Sequence, residues 1–244
     1  MIKSFFCTAV FVLAACFQVH AQTVTYVRGH TVPNSRGDAV ADGDTLRVQP
    51  DDGANGEELR IRMIGMDTPE LHLPVAGQSP VGQAPWGQQA SDALEAMVPA
   101  YTEVIVEVHG LDRYRRTLGR IYLASDWTDV NYAMVRSGWA TPYIYCSGVT
   151  CAPGYLEREN VQSYLEACDA ARSEGLGVFN PNSFMDEQPF EFRLRMQNRT
   201  PDKHVGDFGS RKLYQPTEYS QVDVCRRIFF DTESHAEALG FSSY

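Results

Sequence analysis

Three short clusters of acids and arginines carry the chemistry legible in this sequence. They are Asp42-Gly43-Asp44-Thr45, Asp67-Thr68-Pro69-Glu70 behind Arg62, and Asp112-Arg113-Tyr114-Arg115-Arg116. Singly, each has a plain structural reading. Asp-Gly-Asp suits a tight turn, Asp-Thr-Pro-Glu suits a helix cap with proline at its first position, and an arginine run suits a solvated face. Together they supply what attack on a phosphodiester needs. Asp44 and Asp67 offer hard carboxylate oxygens for a hard cation such as Ca²⁺, and Pro69 keeps Thr68 extended so that its carbonyl can join them. Glu70 falls close enough in sequence to take a proton from an attacking water. Arg62 and Arg116 carry permanent two-pronged charges that match phosphate oxygens and favour the transition state over the ground state.

These clusters need a frame that gathers them. Leu59, Ile61 and Met63 alternate with Arg60 and Arg62, the period-two pattern of a strand with one buried face. Glu103–Val108 and Thr117–Leu123 predict two more strands around a turn at 110–112, and 36–66 has β texture with a loop at 51–57. Leu71–Pro85, rich in proline and glycine, reads as a long irregular loop. Helical spacing predicts helices over Trp86–Val98, Val130–Ser137 and Tyr155–Glu174, the last two closed by Gly138 and Gly175. The sum is an α+β, mainly β fold: a five-stranded barrel of the oligonucleotide-binding type with about three packed helices. After Asn180-Pro181 the composition turns polar, with Arg193, Arg195, Arg199 and Lys203. A boundary is therefore expected near 182, giving a barrel domain at 22–182 and a small C-terminal extension at 183–244.

The first residues read as an export leader: Lys3, an uncharged apolar run to Phe17, and the small-residue pattern Val19-His20-Ala21. A signal peptide of residues 1–21 predicts a periplasmic or secreted protein. Leu13-Ala14-Ala15-Cys16 admits the alternative of a lipoprotein leader (1–15) with a lipid anchor on Cys16. Cys146, Cys151, Cys168 and Cys225 then form an even set in an oxidising compartment, predicting two disulfides with three pairings open. The formal net charge is −10, and −11 once Lys3 leaves with the leader. Such a balance argues against a tight non-specific nucleic-acid binder and is compatible with an enzyme that needs only a local cationic pocket.

From Ala41 to Phe179 the chain resembles the staphylococcal nuclease family. The matching order runs DGDT at 42–45, R-M-I-G-M-D-T-P-E at 62–70, D-R-Y-R-R at 112–116, Val130-Asn131, Val135-Arg136-Ser137-Gly138, Tyr143 and Tyr145, and Gly175-Leu176-Gly177-Val178-Phe179. The resemblance implies a calcium-dependent nuclease acting on DNA and RNA, single-stranded or denatured chains above all, with little sequence specificity and 3′-phosphate ends. It implies Asp44, Asp67 and Thr68 as calcium ligands, Glu70 as the general base, and Arg62 and Arg116 as phosphate-binding arginines. Tyr143 and Tyr145, two apart and so on one face of a strand, would contact nucleotide, as would Arg113 and Tyr114. The alternative is a catalytically silent nucleic-acid-binding module on the same barrel. Arg115 departs from the family's usual glycine. Cys146 and Cys151 flank a short insertion, where a disulfide would brace the nucleotide-binding edge, with Cys168 as the rival partner. The tail is similar to small β-hairpin modules of secreted nucleases without their metal ligands, and Cys225 is then expected to tether it to Cys168.

Overall fold

In the computed structural model, residues 25–34, 37–51, 57–77, 79–148 and 154–243 are described. The leader, the Cys16 anchor and Cys151 lie outside them. Leu59–Met63 is strand β4, with Ile61 and Met63 wholly buried as the alternation requires. It lies between β3 (Thr45–Pro50) and β7 (Thr117–Leu123), antiparallel to the first and parallel to the second. β6 (Glu103–Leu111) pairs with β7 and with β1 (Thr25–Thr31), and β1 returns to β3. That last pairing closes a five-stranded mixed barrel, with the short β2 (Val40–Asp42) added on β3. Leu46, Val48, Ile61, Val104, Val106 and Ile121 fill its interior with no exposed surface.

Helices α1 (Trp86–Met97), α2 (Val130–Arg136) and α4 (Val161–Ser173) pack outside the barrel through Leu94, Met134, Tyr164 and Ala171. The single helix expected over Tyr155–Glu174 is two, because α3 (Tyr155–Arg158) stops before Asn160, which takes a left-handed φ of 50°. The interruption lets Glu159 receive Arg120 through both its carbonyl (3.0 Å) and its carboxylate (2.6 Å).

Residues beyond 182 are built into the same body. β5 (Gly65–Asp67) leaves the barrel to pair with β8 (Thr141–Cys146). β8 pairs in parallel with β11 (Arg227–Phe230), and the sheet continues through β9 (His204–Asp207) and β10 (Leu213–Tyr214). A second core forms there, in which Ile144 from β8 meets Ile228, Phe230 and Phe241. Each such side chain contributes roughly 1.5–3 kcal/mol by leaving water. Cys168 of α4 is bonded to Cys225 just before β11, the expected tether. Cys146 is also disulfide-bonded. Ahead of the sheet runs α5 (Pro189–Met196), whose first turn is capped reciprocally by Gln188 and Glu191.

Candidate active site

Three neighbouring strands, β3, β4 and β7, bring the three sequence clusters to one rim of the barrel. Thr45 at the start of β3 stands opposite Arg62 on β4, and Arg62 stands beside Leu118, two residues past Arg116. Asp44 is fixed by its carbonyl, which accepts from the Met63 amide at 2.8 Å. Gly43 is needed at this point because a Cβ there would lie 2.8 Å from the Thr68 hydroxyl and 3.0 Å from the Ala90 side chain. Asp67 ends β5, and Thr68 and Glu70 follow it, all buried.

Arg62 joins the first two clusters. Its Nη1 donates to Asp44 and its Nη2 to Asp67 Oδ1 at 2.8 Å. Arg116 is aimed by Asp112, whose Oδ2 accepts from its Nε at 2.7 Å while Oδ1 accepts from the Arg116 and Tyr114 amides. Burial alone would raise the Asp112 carboxyl, but the contacts from Arg116 outweigh it and hold the group below the usual carboxylate range. Arg116 Nη1 reaches the Thr45 hydroxyl at 3.5 Å, and that hydroxyl donates to Asp44. Arg115 adopts a left-handed φ of 63°, which explains a family preference for glycine at this position: the turn is kept, with an L side chain under backbone strain.

Glu70 is held from both sides. Its amide donates to the Gln83 side chain (3.1 Å) and its carbonyl accepts from the Gln83 amide (2.7 Å), so the loop expected to be irregular folds back onto it. Burial, aided by Asp44 and Asp67, raises the Glu70 carboxyl although Arg193 pulls it down.

Two site residues were not singled out by the sequence. Asp42, the first acid of the DGD triplet, lines the cleft and accepts from the Gly43 and Leu71 amides. Burial, then the charges of Asp44 and Glu70, push its carboxyl up to about 8. Arg193, from α5, donates to both oxygens of Asp67 at 2.7 Å and to Glu70 at 2.6 Å. Its only sequence signal was the basic stretch of the extension.

The acid set suits a hard divalent cation. Four carboxylates (Asp42, Asp44, Asp67, Glu70) converge on two guanidiniums (Arg62, Arg193), so 4 − 2 leaves two negative charges when all are ionised. The buried Thr68 hydroxyl also lacks a hydrogen-bond partner among the described residues. Another trio, Asp169, Asp223 and Cys225, comes within 4.8 Å. It is unsuited to a metal because Cys225 is in the disulfide and Arg172 takes both carboxylates.

A cleft of about 640 Å³ opens over these groups. One wall is barrel, with Arg113 and Tyr114 at its rim; the other is extension, including Phe190, Arg193, Arg199 and Tyr219. Its lining holds seven arginines and lysines against three acids. Tyr143 lies in it half-buried, its ring 4.7 Å from that of Phe229. Tyr145 is more exposed, with Lys203 Nζ 5.2 Å from its ring centre.

A closed five-stranded barrel bearing buried acids and paired arginines at one rim defines an oligonucleotide-binding-type fold equipped for phosphate chemistry. The family profile described as staphylococcal nuclease homologue matches residues 60–180. The chain is 31% identical over 199 residues to the "Micrococcal nuclease" of Shigella flexneri, covering 77% of this chain and 97% of that protein. It is 30% identical over 207 residues to "Endonuclease YhcR" of Bacillus subtilis, covering 84% of this chain but only 16% of that much longer protein. It is 31% identical to the "Thermonuclease" of Staphylococcus hyicus over 124 residues, half of this chain and 63% of the other. The chain belongs to the staphylococcal nuclease family.

Proposed function

We propose that this protein is a calcium-dependent nuclease that hydrolyses phosphodiester bonds of DNA and RNA with little sequence preference, leaving 3′-phosphate ends. The observation that carries this reading is the pairing of Asp44 and Asp67 with Arg62 beneath a cation-lined cleft whose lining also holds Glu70 and Arg116. The names of its relatives, micrococcal nuclease and thermonuclease, point the same way.

Asp44, Asp67 and the Thr68 carbonyl would hold the calcium ion, with Asp42 buried beside them. When bound, the ion supplies positive charge to the attacked phosphate. Glu70 accepts the proton of the attacking water, and its raised affinity for protons suits that duty at neutral pH. Arg62 and Arg116 face the phosphate oxygens as negative charge gathers on them. The lining tyrosine, Tyr143, and the rim pair Arg113 and Tyr114 bind nucleotide without reading bases. A cleft of this volume suits a few nucleotides of a single strand, so denatured chains are the preferred substrate. The leader sequence supports export, to the periplasm or medium, with anchoring through Cys16 as the alternative.

The test is cleavage of heat-denatured DNA by the oxidised chain in calcium and then in chelator, with end-group analysis. Calcium-dependent cleavage leaving 3′-phosphates supports the reading; a folded protein that binds DNA without cutting it refutes the reading. Glu70→Gln should keep calcium binding and lose most turnover.

A further inference from the structure

Arg193 lies 123 residues beyond Glu70 in sequence, yet its guanidinium sits in the acidic cluster. Nη1 donates to Asp67 Oδ1 (2.7 Å) and to Glu70 Oε1 (2.6 Å), and Nη2 donates to Asp67 Oδ2 (2.7 Å). With Arg62 also on Oδ1, both oxygens of Asp67 are engaged by guanidinium. Three of the four lone-pair sites of Asp67 are thus taken, so a divalent cation finds one open site on Oδ2 and must displace a guanidinium to gain another.

The placement is anchored. Trp86 Nε1 of α1 donates to the Ser183 carbonyl (2.8 Å), and Gln83 Nε2 donates to the Glu187 carbonyl (2.9 Å). Gln83 is also the side chain that fixes the Glu70 amide, so one residue ties the extension to the acid that Arg193 contacts. In the first turn of the helix Glu191 pairs with Arg227 of β11, and in its last turn Arg195 pairs back with Glu187. The Tyr143 ring lies 5.9 Å from the Arg193 guanidinium carbon, within reach of a cation–π contact.

We propose that Arg193 is a resident counter-cation of the acidic cluster, contending with the divalent cation for Asp67 and restraining Glu70, so that the C-terminal extension sets the cation affinity of the active site. It is a positioning residue acting through those two carboxylates. The proposal rests on the calcium reading above and goes beyond it by giving the extension a part in metal binding.

The test is calcium binding to the full, oxidised chain, measured by titration calorimetry without nucleic acid. Removing a positive charge in direct contact with the ligands should tighten calcium binding by Arg193→Gln about tenfold or more. Arg193→Lys, which keeps the charge and loses the fork, should fall between that variant and the parent. An Arg193→Gln variant that binds calcium no tighter than the parent overturns the proposal and leaves the calcium reading standing. A parent that binds no calcium overturns both. Because loss of an ion pair can unfold a variant, the parent protein gives an independent measurement. Its Arg193 Nε–H resonance should shift as calcium saturates the site, and a resonance that stays in place overturns the proposal.

Discussion

Glu70 can be displaced without touching its side chain. Gly87 lies in the first turn of α1, and a Cβ built on it falls 2.3 Å from the Glu70 carbonyl oxygen, 2.8 Å from the carbonyl carbon and 3.0 Å from the Leu71 nitrogen. All three are backbone atoms, so no rotamer relieves the clash. Ordinary contact begins at 3.4 Å, so 3.4 − 2.3 gives 1.1 Å of movement to be found in Gly87→Ala. Helix α1 is held by Ala90 and Leu94, both wholly buried, and the shift therefore falls mainly on Glu70. Overpacking of this kind costs about 1–3 kcal/mol, against which alanine returns up to about 1 kcal/mol of helix propensity. The melting temperature should therefore drop by only a few degrees, at roughly 2–4 °C per kcal/mol for a chain of this size. Turnover should suffer far more, because misplacing a catalytic group by about 1 Å can cost around 10²-fold. The assay is the initial rate of hyperchromicity on denatured DNA at saturating calcium, with melting followed in parallel. A folded Gly87→Ala protein whose kcat stays within about threefold of the parent would refute the assignment of Glu70 as a geometrically critical base.

Three further outcomes follow from particular residues. Arg115→Gly should raise stability by about 0.5–1 kcal/mol, since the strain of a left-handed L residue exceeds the added freedom of glycine in the unfolded chain; denaturant melts check it. Replacing Cys168 and Cys225 by alanine opens a link spanning 57 residues. Loop-closure entropy puts the loss near 4 kcal/mol, so a denaturant midpoint shift worth about 2–4 kcal/mol is expected, and unchanged melting would deny the tether a role in stability. Glu107 is held below its usual range by hydrogen bonds from His109 and Tyr122, with Arg120 adding to them against the cost of burial. A depressed carboxyl stabilises the fold above its unfolded value and loses that contribution as pH falls through the folded one. The stability gap between parent and Glu107→Gln should thus be present at neutral pH and close in the acid range below about 4.5, as acid titration of the melting temperature would register.

The clusters that meet at the candidate site were legible because each is local and its residue types are unusual together. Asp44 and Thr45, Arg62 through Glu70, and Asp112 through Arg116 each span fewer than ten residues, and the alternation of β4 already turned Arg62 away from the core. Asp42 stood in plain view within the triplet, but what distinguishes it is burial beside Asp44 and Glu70, a product of the fold. Arg193 was illegible for a different reason. A run of arginines after a compositional break reads as a solvated surface, and nothing local says that β11 will pair with β8 and carry α5 over the cleft. Likewise the break in the helix at Asn160 answers to Arg120, some forty residues earlier.

The acidic balance of the chain is the place where whole-sequence reasoning and the site part company. The cleft lining carries seven arginines and lysines and three acids, 7 − 3 = +4, and Asp44 and Asp67 directly beneath it bring the local charge to 4 − 2 = +2. Setting that against the formal total of −10 leaves −12 on everything else. Charges farther from the cleft than a Debye length, about 8–10 Å at ordinary ionic strength, hardly reach a strand lying in it, whereas the lining cations do. The far surface instead disfavours non-specific residence of a polyanion anywhere but the cleft. An enzyme that must let go of each product gains from that division: attraction is confined to the few phosphates over Asp67, Glu70 and the arginines, and the released fragment meets a repelling surface. Residues beyond 182 supply Arg193, Arg199 and Lys203 against Asp202, 3 − 1 = +2, whereas the barrel's four arginines are balanced by Asp42, Asp44, Asp67 and Glu70, 4 − 4 = 0. The extension is therefore what turns an acidic protein into one with a cationic groove.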